Sequence, residues 1–211
     1  MNTKKLGREL KRMSGSSRTG AERSRDLAAS LGDVAAERGE LDVAVWAEPS
    51  PIGELLVAVT RRGVVRIAFA DEDRDEVLRG LAGDVSPRIL ESARATDEAR
   101  RELVEYFAGE RHRFDVKVDR RLIRGIALDV LAATSRVPFG SVTTYGELAG
   151  RIGHPRAARA VGNALGSNPI PIVIPCHRVL RAGGALGGYG GGVGRKATLL
   201  TLEGVLPPTL R

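Results

Sequence analysis

From Asn168 the chain runs through a largely apolar stretch, Ile170 to Ile174, and then passes abruptly into Pro175-Cys176-His177-Arg178-Val179. A strand interior favours apolar continuation, so a proline followed by the polar pair His177-Arg178 predicts a strand end opening on a cleft. A glycine-rich run follows, Gly183-Gly184 and then Gly187-Gly188-Tyr189-Gly190-Gly191-Gly192, before a buried helix predicted over 197–202 and Glu203. Cys176 is the single cysteine, so no internal disulfide and no multi-cysteine zinc site is possible. With only His112, His154 and His177 as histidines, no metal and no cofactor is expected. The nucleophile of a cysteine is its thiolate, and nearby His and Arg favour that charged form. Glu203 orienting His177 would complete a Cys-His-Glu relay, a pairing that spacing alone does not show. The alternative is a cysteine serving as a small core residue.

Charge is partitioned along the chain. The net charge is +5 over residues 1–26, −6 over 27–118 and +8 over 119–211. A basic C-terminal segment beside an acidic neighbour suits a polyanion such as nucleic acid, although arginine-rich surfaces also serve solubility. No apolar run reaches the roughly 18 residues a membrane span needs, and no apolar stretch follows the basic N-terminus. A cytoplasmic protein without membrane contact is expected.

Three segments are predicted. Residues 1–40, rich in Lys, Arg, Ser and Gly, read as a basic, flexible extension with a surface helix over 23–37. Residues 41–118 read as a small α+β unit. Val43 and Val45 share one face of a strand, and the runs 55–60 and 64–70 flank Arg61-Arg62-Gly63 as a hairpin. Helical spacing covers 73–81 and 97–107, and Phe114, Val116 and Val118 alternate as a further strand.

Residues 119–211 are predicted to be mainly helical. A helix over 124–135 ends at Val137-Pro138-Phe139-Gly140, and a short helix over 144–151 is broken by Gly153. Pro155 suits the first turn of a second helix, which places Ala157, Ala158, Val161, Ala164 and Leu165 on one face and Arg156, Arg159 and Asn163 on the other. Helix, glycine turn and basic-faced helix match a helix-turn-helix, and equally an ordinary amphipathic helix pair.

Taken together these segments resemble the O6-alkylguanine-DNA alkyltransferases, the methylated-DNA–protein-cysteine methyltransferases. The resemblance covers 138–205 closely. It is carried by Pro138-Phe139-Gly140, Thr144-Tyr145-Gly146-Glu147-Leu148-Ala149 and Ala157-Ala158-Arg159-Ala160-Val161-Gly162. Asn168-Pro169, Ile174-Pro175-Cys176-His177-Arg178-Val179, Gly188-Tyr189-Gly190-Gly191-Gly192 and Leu200 to Gly204 complete it, and Ser50-Pro51-Ile52-Gly53 extends it weakly backward. It implies an α+β protein: a ribonuclease-H-like domain over 41–118, then a helical catalytic domain over 119–211 with a DNA-binding helix-turn-helix.

By that resemblance the chain is a DNA repair protein that reverses damage directly. It would flip an O6-alkylguanine out of double-stranded DNA and move a methyl or larger alkyl group irreversibly onto Cys176, once per molecule, with O4 of thymine as an open second target. Cys176 would accept the alkyl group, His177 would deprotonate it through a water, Glu203 would hold His177, and Asn168 would brace the turn before the active-site segment. Arg159 would fill the gap left by the base, with Arg156 and Asn163 on the same DNA-facing surface. Tyr145 would help rotate the nucleotide and hydrogen-bond the base. Tyr189, Gly190, Gly191 and backbone groups near Val179 would line the guanine pocket. A monomer in solution is expected, with cooperativity along DNA left open.

The chain departs from the family pattern in places. Ile126 and Leu131 stand where Phe and Trp are common, Gly190 stands where Ser is common, and the 1–40 extension is atypical. Competing readings are a non-catalytic binder of alkylated DNA, against which Cys176 argues, an alkylation-responsive regulator, and a cysteine hydrolase. For the last, adjacent residues on an extended segment point to opposite sides, so a direct Cys176–His177 pair is awkward and a water-bridged one is not.

Overall fold

The computed structural model describes residues 30–207. The expectation of a flexible extension therefore lies, up to residue 29, outside the described residues. Residues 30–38 are helical, and Asp33 and Glu37 meet Ser92 and Arg94. Gly32 lies so close to Glu91 that an added Cβ would sit 1.8 Å from its carbonyl oxygen.

The sheet domain is built from β1 (Val43–Glu48), β2 (Leu55–Thr60), β3 (Gly63–Phe69) and β4 (Ile89–Glu91), in the order β3-β2-β1-β4. β1, β2 and β3 pair antiparallel, and β4 joins β1 in parallel. Period-two alternation splits the strands between two cores. Val43, Val45, Leu56 and Ala58 pack with Leu81 of α1 (Arg74–Asp84). Ala44, Leu55 and Val57 face α2 (Asp97–Phe107) and the helical domain. The register shift at Ala58/Val59 turns β3 over, so that Val65 faces one core and Ile67 the other.

The strand predicted over Phe114 to Val118 does not form. Only Val118 makes a bridge, to Val64. The buried Glu102 carboxylate instead accepts from the amides of Asp115 at 2.9 Å and Val116 at 3.2 Å, which removes those donors from any ladder.

The helical domain contains α3 (Ile126–Thr134), α4 (Tyr145–Arg151), α5 (Ala158–Gly166) and α6 (Val193–Leu202), with a two-stranded parallel pair, β5 (Thr143–Thr144) and β6 (Val179–Leu180). Thr144 caps α4 in a capping box with Glu147. Pro155 falls before α5 rather than in its first turn: the amide of Ala157 donates to His154 O at 2.8 Å, closing a separate turn before the helix begins. On α5, Val161, Ala164 and Leu165 are buried while Arg159 and Asn163 are exposed. α6 starts at Val193, earlier than predicted. No helix among the described residues is long and apolar enough to cross a membrane.

The segment 170–174 is a chain of turns, not a strand. Ile174 N donates to Ile170 O at 2.9 Å, and Ile172 takes φ 74°. Pro171 and Pro175 have no amide to give a ladder. Asn168 takes the amide of Ile170 at 3.0 Å and donates to the carbonyl of Ile174 at 2.9 Å. The chain then makes one 3-10 turn, Cys176–Arg178, before β6.

Candidate active site

Cys176 is 5% exposed and forms part of the wall of a pocket of about 660 Å³. The same pocket is lined by Arg159 and Asn163 of α5, Tyr145 at the start of α4, and Tyr189 and Gly190 of the glycine-rich loop. The sulfur is thus buried but not sealed. A second pocket, of about 330 Å³, reaches it between Asn168, Gly191 and Phe69 of the sheet domain. Asn168 Nδ2 donates to Cys176 Sγ at 3.1 Å, so one amide holds both the turn and the sulfur.

His177 is fully buried, and its Nε2 lies 2.8 Å from Glu203 Oε1. Burial pushes Glu203 up, but hydrogen bonds from His177 and Arg178 outweigh it and hold the carboxyl at about 2. Glu203 is therefore an acceptor only, and the proton between them belongs to Nε2. Burial also keeps His177 below its ordinary value, hence neutral, so Nδ1 carries a lone pair. That Nδ1 is buried and has no hydrogen-bond partner among the described residues. It is a base with its proton site free.

Around Glu203 the structure assembles groups that sequence reasoning missed. Tyr106 donates its hydroxyl to Oε1 at 2.7 Å, and the amide of Gly140 reaches Oε2 at 3.3 Å. Arg178 donates to both carboxylate oxygens, at 2.8 and 2.9 Å, and to Val137 O at 2.6 Å. Arg178 was expected to favour the thiolate; it is instead spent on Glu203. Burial pushes the Cys176 thiol up to about 11, against the hydrogen bond from Asn168 and the charge of Lys196. The resting group is a thiol. Tyr106 had a readable signal, since it neighbours Leu103 and Phe107 on the apolar face of α2.

The remaining predicted residues fall in different places. Tyr145 is half-buried, its hydroxyl 3.5 Å from Gly188 O. Tyr189 buries a hydroxyl that has no partner among the described residues, and burial pushes it well above its ordinary value. Arg156 stays exposed in the turn before α5 and does not line the pocket with Arg159. Gly191 lines the smaller pocket, its position pressed against Phe69 and Tyr189. Val179 is fully buried and lines neither pocket; its carbonyl accepts from Lys196 Nζ at 2.6 Å.

A four-stranded sheet domain joined to a helical domain, with a single cysteine in the wall of a pocket shared with α5, defines an α+β class of proteins. Comparison with known proteins narrows this. A family described as 6-O-methylguanine DNA methyltransferase, DNA binding domain, matches residues 126–205, and the ribonuclease-like domain of the same description matches 48–120. A methylated-DNA–protein-cysteine methyltransferase of Mycolicibacterium paratuberculosis is 43% identical over 73% of this chain and 88% of its own length. One from Methanosarcina acetivorans is 40% identical over 74% and 94%. The crystal structure of Mycobacterium tuberculosis O6-methylguanine methyltransferase matches with TM-score 0.67 and 38% identity over 79% of this chain and 95% of that one. That of Mycobacterium tuberculosis OGT in complex with DNA matches with TM-score 0.65 and 38% identity over 77% and 92%. The chain belongs to the 6-O-methylguanine DNA methyltransferase family.

Proposed function

We propose that this protein repairs DNA by moving a methyl or larger alkyl group from O6 of guanine onto Cys176, once per molecule. The observation that carries the reading is a thiol set in the wall of a pocket of about 660 Å³, with a neutral His177 beside it in sequence whose Nδ1 has no partner among the described residues and whose Nε2 is fixed by Glu203. The alkyl carbon of such a lesion lies inside the stacked duplex, so the nucleotide must rotate out, at a cost of a few kcal/mol. Arg159, exposed on α5 at the pocket rim, is suited to occupy the space the base leaves. Tyr145 is suited to turn the nucleotide inward.

Because the resting sulfur is protonated, proton removal belongs to the reaction itself. His177 Nδ1 takes the Cys176 proton through a water, and Glu203 stabilises the imidazolium that forms. The sulfur attacks the alkyl carbon in line, a carbon–sulfur bond forms and the O6–carbon bond breaks. Its electron pair stays on the guanine, which takes up the proton from His177. A thioether has no ordinary route back to thiol, so the step is stoichiometric. The same reading takes the protein as a cytoplasmic monomer acting on double-stranded DNA. A non-catalytic damage binder is disfavoured, since the acceptor sulfur is present and carries its own hydrogen-bond donor in Asn168.

Intact-protein mass spectrometry after incubation with O6-methylguanine duplex tests this. One methyl increment per chain is expected, on the peptide containing Cys176, with none on Cys176→Ala; a methylated Cys176→Ala would overturn the assignment. Arg159→Ala should slow repair of duplex far more than transfer from the free base. Equal losses on both substrates would remove Arg159 from base rotation.

A further inference from the structure

Among the described residues one buried cation lies outside the relay. Lys196, in the first turn of α6, is 0% exposed and has no carboxylate partner among them. Its three ammonium protons go to three backbone carbonyls: Val179 at 2.6 Å, Leu186, and Gly188 at 3.4 Å. These carbonyls come from β6 and from the stretch leading into Tyr189-Gly190, which lines the pocket at Cys176. Gly188 O also accepts from Tyr145. A buried ammonium is costly unless every proton is satisfied, and here full satisfaction requires this loop in this conformation.

The same charge acts on the reacting atom. Lys196 is the cation whose field favours an ionised Cys176, whereas Arg178 is absorbed by Glu203. We propose that Lys196 is the positioning residue of the reaction: its ammonium fixes the glycine-rich loop as the lid of the base pocket and supplies the positive charge that steadies the sulfur as it ionises. This rests on the reading of Cys176 as alkyl acceptor and adds to it a dependence on one proton.

Burial holds Lys196 down at about 8, with Cys176 raising it and Arg181 lowering it. Below 8 all three carbonyls have a donor; above it the ammonium becomes an amine with two protons, one carbonyl is released, and the charge is gone. Among the titratable groups facing Lys196, Cys176 is pushed up to about 11 and His177 lies below its ordinary range. Tyr145 and Tyr189, at the pocket, both lie above theirs. None of these changes charge between pH 7 and 9.

The test uses the full chain and two probes. Calorimetric titration with guanosine gives pocket affinity without any transfer, and transfer from free O6-methylguanine base gives a rate. Pocket affinity of the native protein should weaken several-fold from pH 7 to 9 with a midpoint near 8. Lys196→Met should bind guanosine about tenfold more weakly at pH 7, with no inflection, and transfer more slowly. Lys196→Arg, cationic throughout, should bind with an affinity independent of pH over this range. A native affinity flat from pH 7 to 9 overturns the proposal whether or not either variant folds. So does a Lys196→Met protein with native affinity and rate and only a lowered melting temperature. Absence of methyl transfer at any pH would instead sink the acceptor role of Cys176, while the guanosine titration would still decide whether Lys196 holds the loop.

Discussion

Glu203 accepts hydrogen bonds from His177, Tyr106, Nε and Nη2 of Arg178 and the amide of Gly140, all within 3.3 Å. An amide at that position keeps one acceptor oxygen and turns the other into a donor facing donors. Glu203→Gln should therefore cost about 3–5 kcal/mol, the usual loss when one partner of a buried ion pair is removed, read by urea denaturation. It should also slow methyl transfer roughly 10²–10⁴-fold, because Nε2 of His177 no longer has a fixed anion to hold its proton. Full retention of both would show that the carboxylate is dispensable. The same group sets the acid limit of the fold. Glu203 sits at about 2 when folded against an ordinary 4.5, so its stabilisation is complete above 4.5 and lost as pH falls toward 2. His177, lowered by burial, adds a loss that begins as pH drops below 6.5. Melting temperature should fall in that order from pH 7 to 3; a flat profile would contradict both. Cys176 and His177 stood out by residue type, while the contact of His177 with Glu203 was expected only through the family resemblance. Lys196 did not stand out, since a lysine at a helix start reads as solvated. Only its spacing to Leu199 and Leu200, three and four residues on and both buried, marked its face as inward.

Turn chemistry was the readable part of the secondary structure, and side-chain capture of backbone groups was the unreadable part. Arg61-Arg62-Gly63 joins β2 and β3 as the sequence implied, because Gly63 takes φ 121° where an added Cβ would lie 2.0 Å from Lys117 O. The strand expected at 114–118 failed because Glu102 takes the amides a ladder would need, and that at 170–174 because Asn168 takes one amide, Pro171 and Pro175 have none to give and turn bonds take others. The Glu102 capture has no local sequence signature, since Glu102 lies on a different element from the residues it binds, whereas Asn168 captures an amide only two residues on. The start of α4 was read to within one residue. Thr144 accepts from the amide of Glu147 at 3.2 Å, and the Glu147 carboxylate accepts from the amide of Thr144 at 3.0 Å. Tyr145 is the first residue of the helix so capped. Thr144→Ala should cost about 1 kcal/mol of stability, the ordinary worth of a cap. It should also slow repair of duplex more than transfer from the free base, as the first turn holding Tyr145 loosens. Denaturant midpoints and the two rates, measured side by side, check this; unchanged rates would mean that packing alone positions Tyr145.

The two domains meet at the active site, and beside the Tyr106–Glu203 hydrogen bond Arg195 is a side chain that joins them. From the first turn of α6 it donates to Ile52 O at 2.9 Å and to Asp71 at 2.8 Å, both in the sheet domain, and to Gly191 O at 2.9 Å in the glycine-rich loop. Its guanidinium also lies 4.9 Å from the ring centre of Phe69, which borders the smaller pocket beside Cys176. The amide of Ile67 donates to Pro169 O at 2.8 Å, so β3 braces the reactive turn from the same side. These contacts give the sheet domain, which contributes none of the residues proposed to touch DNA, a part in shaping the pocket. The ion pair with Asp71 is a minor part of the clamp, since that carboxylate is 66% exposed and screened by water. The two carbonyl contacts are the larger share, because hydrogen bonds from a charged donor are worth about 1.5–3 kcal/mol each. Asp71→Ala should accordingly leave pocket affinity for guanosine within about twofold of native, while Arg195→Ala should weaken it by about tenfold or more. Arg195→Lys should fall between them, since one ammonium cannot span Ile52 and Gly191 as the guanidinium fork does. Equal, small effects of all three substitutions would mean that the helical domain shapes its pocket unaided.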